Sequence, residues 1–218
     1  MRECALLSLV VPVYNEEEVL LQSYRRMHDV LTALPCDFEI LYVDDGSRDG
    51  SWAILEEIVR QDERVRALRF SRNFGHQIAV TAGMDSADGD VIVIIDGDLQ
   101  DPPEVIPEML AQWQRGYDVV YGKRRSREGE NAFKKWTASA YYRFLRRMSA
   151  YEIPLDTGDF RLIDRKVAEV MASMPEHNRF LRGMPAWAGF SQMPVAYERQ
   201  SRAAGPTHYT LKKMVRLA

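Results

Sequence analysis

The stretch VIVIIDGDLQDPP (residues 91–103) runs five β-branched apolar residues directly into a group of carboxylates. A run this apolar, closed by two prolines, is typical of a buried strand, and its carboxyl end carries Asp96, Asp98 and Asp101. Carboxylates this close repel one another unless a positive charge lies among them. The stretch therefore predicts a buried strand that ends at a charged site.

The first 122 residues repeat this alternation of apolar run and helical pattern. Strands are predicted at 6–14, 37–43, 65–70, 90–95 and 117–122, and helices at 16–34, 50–61, 75–87 and 102–116. Such spacing favours an α/β fold, with a mostly parallel, Rossmann-like sheet flanked by helices. Beyond residue 122 we predict a short strand within 156–164, a helix at 165–174, and antiparallel strands at a sheet edge within 178–200.

Composition indicates one globular domain of 218 residues. The two cysteines, Cys4 and Cys36, match no zinc spacing and suggest a reducing compartment. The apolar run at the start ends at Pro12 without a cleavage site, and no stretch reaches the roughly 18 apolar residues that span a bilayer. We therefore expect the chain as given to be soluble.

Basic residues are concentrated in two segments of a chain whose net charge is -3. Residues 123–147 hold nine Lys or Arg against two Glu, and residues 199–218 hold five basic residues and no acid. Either segment alone could be a solvated surface. Two in the same half, interleaved with aromatic residues, indicate an anionic partner such as nucleic acid, a membrane surface or a phosphorylated lipid. The fold class is thus α/β with a basic C-terminal portion.

Polar clusters follow three of the predicted strands: PVYNE (12–16), DDGS (44–47) and DGDLQ (96–100). Each has a structural explanation as a helix cap, an Asx-turn or a proline-initiated helix. All three fall at carboxyl ends, where open parallel sheets bind ligands, so we favour a site. The chain lacks GxGxxG and GxxxxGK[ST], so a phosphate ligand needs a cation, and Asp96 and Asp98 offer hard oxygen ligands for Mg²⁺ or Mn²⁺.

Five motifs, VVPVYNEE, YVDDGSRDGS, SRNFGHQIAVTAGM, IIDGDLQDPPE and YDVVYGKRRSREGE, occur in this order. Together with IPLDTGDFRLIDR and NRFLRGMPAWAGF, they closely resemble family 2 glycosyltransferases. The likeness is greatest to the bacterial polyprenyl-phosphate branch, related to dolichyl-phosphate mannose synthase. It implies a GT-A fold, with residues 1–122 forming the nucleotide-sugar half and residues 123–218 the acceptor-binding, membrane-proximal half of one domain.

The resemblance also assigns roles residue by residue. It implies that the donor is held by Pro12, Tyr14, Glu16, Asp44, Asp96 and Arg202. It implies that the metal is held by Asp96, Asp98 and Gln100, and that the acceptor phosphate is met by Arg124, Lys135, Ser139 and Arg161. It implies that the catalytic carboxylates are Asp159, Asp98 and Asp96. Asp159 is either a base or a positioning group, since a phosphate monoester is already ionised at neutral pH, and Arg161 is either an ion-pair partner or a phosphate ligand.

The implied reaction is inverting, metal-dependent transfer of a sugar to a polyprenyl phosphate at the cytoplasmic face of the membrane. UDP-glucose is the expected donor; UDP-N-acetylhexosamine, UDP-galactose and GDP-mannose stay open. The implied partners are the donor, the lipid acceptor and a membrane surface, without nucleic acid, and a homo-oligomer is left open. Relatives in this branch continue into two transmembrane helices, so we expect a catalytic portion that stops before them.

Two other classes of function are compatible with parts of the sequence. Phosphatases of the haloacid dehalogenase type also place DxD after an apolar strand, but that strand usually comes early in the chain and is here the fourth. A non-catalytic module that binds nucleotide or anionic lipid would use the basic segments alone. That alternative leaves Asp96, Asp98 and Asp159 without a role.

Overall fold

The computed structural model describes residues 2–125, 157–176 and 181–200, which form a seven-stranded sheet with helices on both faces. The strands are β1 Leu6–Val13, β2 Asp37–Asp44, β3 Val65–Arg69, β4 Val91–Ile94, β5 Val119–Arg124, β6 Thr157–Asp164 and β7 Gln192–Tyr197. The helices are α1 Leu20–Thr32, α2 Ser51–Gln61, α3 His76–Ser86, α4 Ile106–Gln114, α5 Arg165–Ser173 and α6 Met184–Trp187. The strand order is β3-β2-β1-β4-β6-β5-β7.

The central strands are continuous apolar runs because helices cover both faces of the sheet. Every residue of β1 and β2 after the first is buried, and so are all four residues of β4. One core lies between the sheet and helices α1, α2 and α4, and the other lies under α3, α5 and α6. The mostly parallel α/β sheet predicted from the sequence is confirmed.

The prediction of antiparallel strands over residues 178–200 is wrong. The described part of this region, residues 181–200, supplies one strand, β7, which lies at the sheet edge parallel to β5. The antiparallel strand is β6, which lies between β4 and β5. Apolar periodicity reports burial and not strand direction, so the pattern could not distinguish the two. Because β6 runs in reverse, its first residues lie at the end of the sheet where β1, β2 and β4 finish.

Most of the basic residues predicted to meet the acceptor and the membrane fall in 126–156 and 201–218, outside the described residues. The division of the domain at residue 122 stays a prediction, and β5 runs across it from Val119 to Arg124. Within 2–125, 157–176 and 181–200, no helix has the length and apolar character that a membrane crossing requires.

Helix α3 packs closely on the sheet through Gly83. A Cβ atom at this position would lie 2.3 Å from Val10 Cγ1 and 3.2 Å from Val43 Cγ2. Gly83→Ala should therefore lower the free energy of unfolding by about 1–3 kcal/mol through overpacking, although alanine is the better helix former. Urea denaturation measures the change, and an unchanged or raised stability would contradict this packing.

Asp118, just before β5, joins the N-terminal segment to the start of α5. Its carboxylate lies 3.0 Å from Arg2 Nη2 and 2.5 Å from Lys166 Nζ, and it accepts from Ser191 Oγ at 2.7 Å. Burial alone would raise the pKa of Asp118, but the contacts with Lys166, Ser191 and Arg2 hold it well below its usual range. The carboxylate therefore stabilises the fold at neutral pH, and this contribution is lost as the pH falls through the folded-state pKa.

Asp118→Asn is expected to lower the free energy of unfolding by about 1–3 kcal/mol near neutral pH, because charge-assisted hydrogen bonds are lost. The difference from the unaltered protein should shrink as the pH falls below about 4, where the unfolded-state carboxyl takes up its proton. Urea denaturation across this pH range measures it. An equal difference at acid and neutral pH would contradict the assignment.

Candidate active site at the carboxyl ends of the strands

The structure brings the three predicted polar clusters to one edge of the sheet, here called the rim (residues 14–16, 44–47 and 96–100). Hydrogen bonds connect the first two clusters. The Asn15 amide donates to Ser47 Oγ at 2.9 Å, and Asn15 Oδ1 accepts from the Arg48 amide at 2.8 Å. Asn15 adopts a left-handed φ of 55°, and the amides of Glu16 and Glu17, which were predicted to begin α1, donate to Ser51 Oγ and Asp49 Oδ2. The helix begins only at Leu20.

The predicted nucleoside side of the rim lies at the ends of β1 and β2. Pro12 is buried within β1, while Tyr14 and Glu16 are half-buried just beyond it. Asp44 is fully buried; its Oδ1 accepts from the Ser47 amide at 3.0 Å, and its Oδ2 has no hydrogen-bond partner among the described residues. An unpartnered buried oxygen can accept an N–H from a ligand such as a nucleobase.

Arg69 lies over the Asp44 carboxylate. Its Nε is 3.4 Å from Asp44 Oδ2, and its guanidinium stacks over the Trp52 ring at 5.1 Å. The Arg69 side chain is 48% exposed whereas that of Asp44 is 0% exposed, so a ligand reaches Asp44 only after Arg69 moves. The sequence offered no signal for this cover, because Arg69 ends an edge strand without any motif.

The acidic loop (residues 96–101) follows β4 and contains the predicted metal ligands. Asp96 is 32% exposed, and Asp98 Oδ1 accepts from the Gln100 amide at 3.0 Å. Leu99 adopts a left-handed φ of 61°, which turns the loop sharply between these two residues. Burial, with the nearby charges of Asp98, Asp101 and Asp159, raises the pKa of Asp96 to about 6, although His76 opposes the shift.

The donor set of this loop fits a divalent metal. Two carboxylates and an amide oxygen, from Asp96, Asp98 and Gln100, are the hard oxygen ligands of Mg²⁺ and Mn²⁺. Burial first, and then the charges of Asp98, Asp101 and Asp159, raise the pKa of Asp96, and a divalent ion would offset both causes. Within the described ranges no three Asp, Glu, His or Cys side chains converge in metal-ligand geometry.

Asp159 lies beside Asp96, because the antiparallel β6 pairs Arg161 with Ile94 and brings the start of its strand to the rim. Arg182 holds the Asp159 carboxylate in both its oxygens, Nε to Oδ1 at 2.8 Å and Nη2 to Oδ2 at 3.0 Å. His76 Nε2 lies 3.1 Å from Asp159 Oδ2 and 3.8 Å from Asp96 Oδ1.

These contacts determine the charge states in the cluster. Burial would raise the pKa of Asp159, but His76 and Arg182 hold it well below its usual range. Burial would lower the pKa of His76, but Asp159 and Asp96 raise it. A general base works best with a pKa near the working pH, so a lowered pKa favours a charged positioning role for Asp159 over that of a base.

A second aspartate of the DDGS cluster positions His76. Asp45 Oδ1 accepts from the Phe74 amide at 2.7 Å, and Asp45 Oδ2 accepts from the Gly75 amide at 3.0 Å. Gly75 has φ 106°, a conformation that L side chains rarely adopt, and α3 begins at the next residue. Sequence reasoning missed Asp45, His76 and Arg182. The polar residues in SRNFGH and RFLRGM were the available signal.

Of the residues predicted to meet the acceptor phosphate, two are described. Arg124 Nε donates to Tyr197 Oη at 3.3 Å, and Nη2 lies 3.9 Å from Asp101 Oδ1. Arg161 is 4% exposed and donates to the carbonyls of Leu181 at 3.0 Å and Gly158 at 3.2 Å. Arg161 therefore stabilises the backbone on either side of Asp159, and its burial does not favour contact with a phosphate. The other two, Lys135 and Ser139, lie outside the described residues, and so does Arg202, which was predicted to bind the donor.

Comparison with known proteins gives one consistent family. Residues 8–171 match the family model described as glycosyl transferase family 2. The glycosyltransferase YkcC of Bacillus subtilis (strain 168) is 54% identical over 211 residues, which make up 97% of this chain and 65% of that protein. The bactoprenol glucosyl transferase of Shigella phage SfV is 39% identical over 212 residues, 97% of this chain and 69% of that protein. The chain thus spans about two thirds of the length of these relatives.

Solved structures match at lower identity and show the fold. Mannosyl-3-phosphoglycerate synthase from Rubrobacter xylanophilus gives a TM-score of 0.68 at 18% identity, covering 98% of this chain and 70% of that one. Glucosyl-3-phosphoglycerate synthase from Mycobacterium tuberculosis, in complex with Mn²⁺, UDP and phosphoglyceric acid, gives 0.66 at 17%, covering 97% and 74%. Both have the GT-A fold, which the sequence resemblance implied. The chain belongs to glycosyltransferase family 2.

Proposed function

We propose that this family 2 transferase moves a sugar from a nucleoside diphosphate sugar to a polyprenyl phosphate, with inversion of configuration at the sugar carbon. The observation that carries the proposal is that Asp96, after β4, and Asp159, from β6, both lie within ion-pair distance of His76, with Asp98 two residues on and Asp44 at the end of β2 on the same rim. The relatives named bactoprenol glucosyl transferases, 39% identical to this chain, support the lipid acceptor and favour UDP-glucose as donor.

The donor would lie along the rim, with its base at the ends of β1 and β2. Asp44 Oδ2, the unpartnered oxygen, would accept an N–H from the base once Arg69 moves aside. Tyr14 and Glu16 flank this position and would enclose the nucleoside. Asp96, Asp98 and Gln100 would hold Mg²⁺ or Mn²⁺, which supplies a Lewis acid for the departing diphosphate.

The acceptor needs little activation. A phosphate monoester has a second pKa of about 6, so its oxygen is largely ionised at neutral pH and can attack the sugar without a base. Asp159, fixed in both oxygens by Arg182, would accept hydrogen bonds from the sugar and keep its reactive carbon facing the acceptor. Attack from the face opposite the diphosphate inverts the configuration at that carbon.

Membrane association is part of the proposal. The acceptor lipid resides in a membrane, and two segments rich in Lys and Arg, 123–147 and 199–218, would contact anionic headgroups at the cytoplasmic face. In this proposal residues 1–122 serve the donor and residues 123–218 serve the acceptor.

The test is a transfer assay with vesicles that contain undecaprenyl phosphate. Radiolabelled UDP-glucose, UDP-N-acetylhexosamine, UDP-galactose and GDP-mannose are supplied separately, with Mn²⁺ or with a chelator. We expect label to enter the lipid fraction from UDP-glucose only when metal and lipid phosphate are both present. Lipid labelling from another donor would show that a sugar other than glucose is transferred, by the same reaction. Donor binding without lipid labelling from any donor would contradict the proposed acceptor.

A further inference from the structure

The chain that leaves β7 closes directly onto the acidic loop. The Gln200 amide donates to the Gln100 carbonyl at 2.9 Å, and Arg199 Nη2 donates to Gln100 Oε1 at 2.5 Å. Arg199 Nε also lies 3.8 Å from Asp101 Oδ1. Residues 199–200, here called the β7 extension, therefore contact both the backbone and the side chain of a predicted metal ligand.

Asp101 of the acidic loop is a buried carboxylate with two arginines nearby, Arg124 and Arg199. Its side chain is 1% exposed, its Oδ1 accepts from the Tyr197 hydroxyl, and its Oδ2 finds no hydrogen-bond partner in the part of the chain that the structure describes. Arg124 Nη2 approaches Oδ1 to 3.9 Å from the other side. A buried carboxylate with so few hydrogen bonds is stabilised by nearby positive charge, and Arg199 supplies part of that charge.

The β7 extension is also attached to α1. Arg26 Nη1 donates to Gln200 Oε1 at 2.9 Å, and the Arg26 guanidinium forms two 2.7 Å bonds with the Glu104 carboxylate. This attachment fixes Gln200 independently of Arg199. The Arg199 side chain, 35% exposed, can therefore leave Gln100 while the backbone of the extension stays in place.

We propose that Arg199 is a positioning residue that takes the place of the metal ion at Gln100 until the donor binds. This inference rests on the proposed donor site. Gln100 Oε1 is a predicted metal-ligand atom, and Arg199 occupies it. A guanidinium and a divalent ion around one oxygen repel each other, so the metal must displace Arg199. The diphosphate of the donor then offers the displaced guanidinium an anionic partner.

Metal and diphosphate binding are coupled by this exchange. Metal alone must compete with Arg199, whereas metal with diphosphate gives Arg199 a new contact. Removal of the Arg199 guanidinium should therefore strengthen the binding of metal alone and weaken the binding of diphosphate in the presence of metal. A residue that merely supports the loop, or one that binds only the diphosphate, would not tighten metal binding when replaced.

The test measures Mn²⁺ binding by the electron paramagnetic resonance signal of free Mn²⁺, with and without UDP. For Arg199→Gln we expect Mn²⁺ alone to bind about two- to tenfold more tightly, the range that loss of one hydrogen bond allows. With Mn²⁺ present, UDP should bind more weakly by a similar factor. Arg199→Lys keeps the charge and should stay closer to the unaltered protein.

Arg60→Gln is the matched control. It removes the same charge from the surface of α2, where Arg60 pairs only with Glu57 in the described ranges. It should leave both affinities unchanged, and thermal melting shows that each variant is folded. Mn²⁺ binding by Arg199→Gln that is weaker than, or equal to, that of Arg60→Gln would overturn the inference while leaving the donor site intact. If the unaltered protein bound neither Mn²⁺ nor UDP with Mn²⁺, the proposed function would fail together with the inference.

Discussion

Asp98→Asn is expected to lower kcat/KM for sugar transfer by about 10³-fold, because the acidic loop loses a charged oxygen that holds the metal beside the departing diphosphate. Asp98 is 9% exposed and accepts a hydrogen bond from the Gln100 amide. Asparagine has the same size, can still accept this bond, and lacks the charge. Steady-state transfer with increasing Mn²⁺ measures the loss. Higher metal concentrations should recover part of it, since the defect is in metal binding.

The control for Asp98→Asn is Asp88→Asn, the same chemical change at a surface position. Asp88 is 67% exposed and pairs with Arg66, away from the rim. Exposed ion pairs contribute little, so this variant should transfer sugar at nearly the normal rate. Normal metal dependence in Asp98→Asn would remove Asp98 from the metal site and, with it, the proposed role of the acidic loop.

Asp159→Asn is expected to lower kcat by about 10²- to 10⁴-fold while UDP affinity with Mn²⁺ changes little. Asp159 contacts His76 and Arg182, and the shared His76 places it beside Asp96 rather than Asp44, so the proposed function assigns it to the sugar end of the donor. Asparagine would also leave the Arg182 guanidinium without its carboxylate. Turnover measurements and UDP titration on the same preparation separate the two effects.

A double-variant cycle distinguishes positioning from independent catalysis at Asp159. Because Arg182 would act through Asp159, Arg182→Gln added to Asp159→Asn should lower kcat far less than it does alone. Additive losses would show that Arg182 works separately from Asp159. A loss of UDP affinity in Asp159→Asn as large as its loss of kcat would place Asp159 in donor binding instead.

The apolar runs were sufficient to predict the parallel part of the sheet, and the strand-end polar residues were sufficient to predict the rim. Strands β1, β2 and β4 are buried on both faces, and this condition leaves a direct mark on the sequence. The direction and place of β6 leave no such mark, since the same alternation of Phe160 and Leu162 suits either direction. Position within the sheet follows from long-range pairing, which no local pattern encodes.

The partners of the carboxylates were equally hidden. His76 and Arg182 meet at Asp159 although one precedes it by 83 positions and the other follows it by 23. The sequence predicted that a metal supplies the positive charge near the acidic loop. The structure shows that side chains supply some of it as well, through His76, Arg124 and Arg199.

Membership of family 2 leaves the phosphatase alternative without support, since residues 8–171 match a glycosyltransferase model. A non-catalytic module that binds anionic lipid would need only basic surface. It would have no use for a carboxylate at Asp159 held by Arg182 and His76 beside Asp96. Loss of transfer in Asp159→Asn would exclude that alternative directly.

The most direct test of the donor site is a calorimetric titration of UDP into the protein, with Mn²⁺ and then with a chelator, beside the same titration of Asp98→Asn. The proposed site predicts one UDP bound per chain only with Mn²⁺, weaker binding of GDP, and loss of UDP binding in the variant. UDP binding that is equally tight with chelator, or unchanged in Asp98→Asn, would show that the acidic loop at the end of β4 is not where a metal and a nucleotide diphosphate meet.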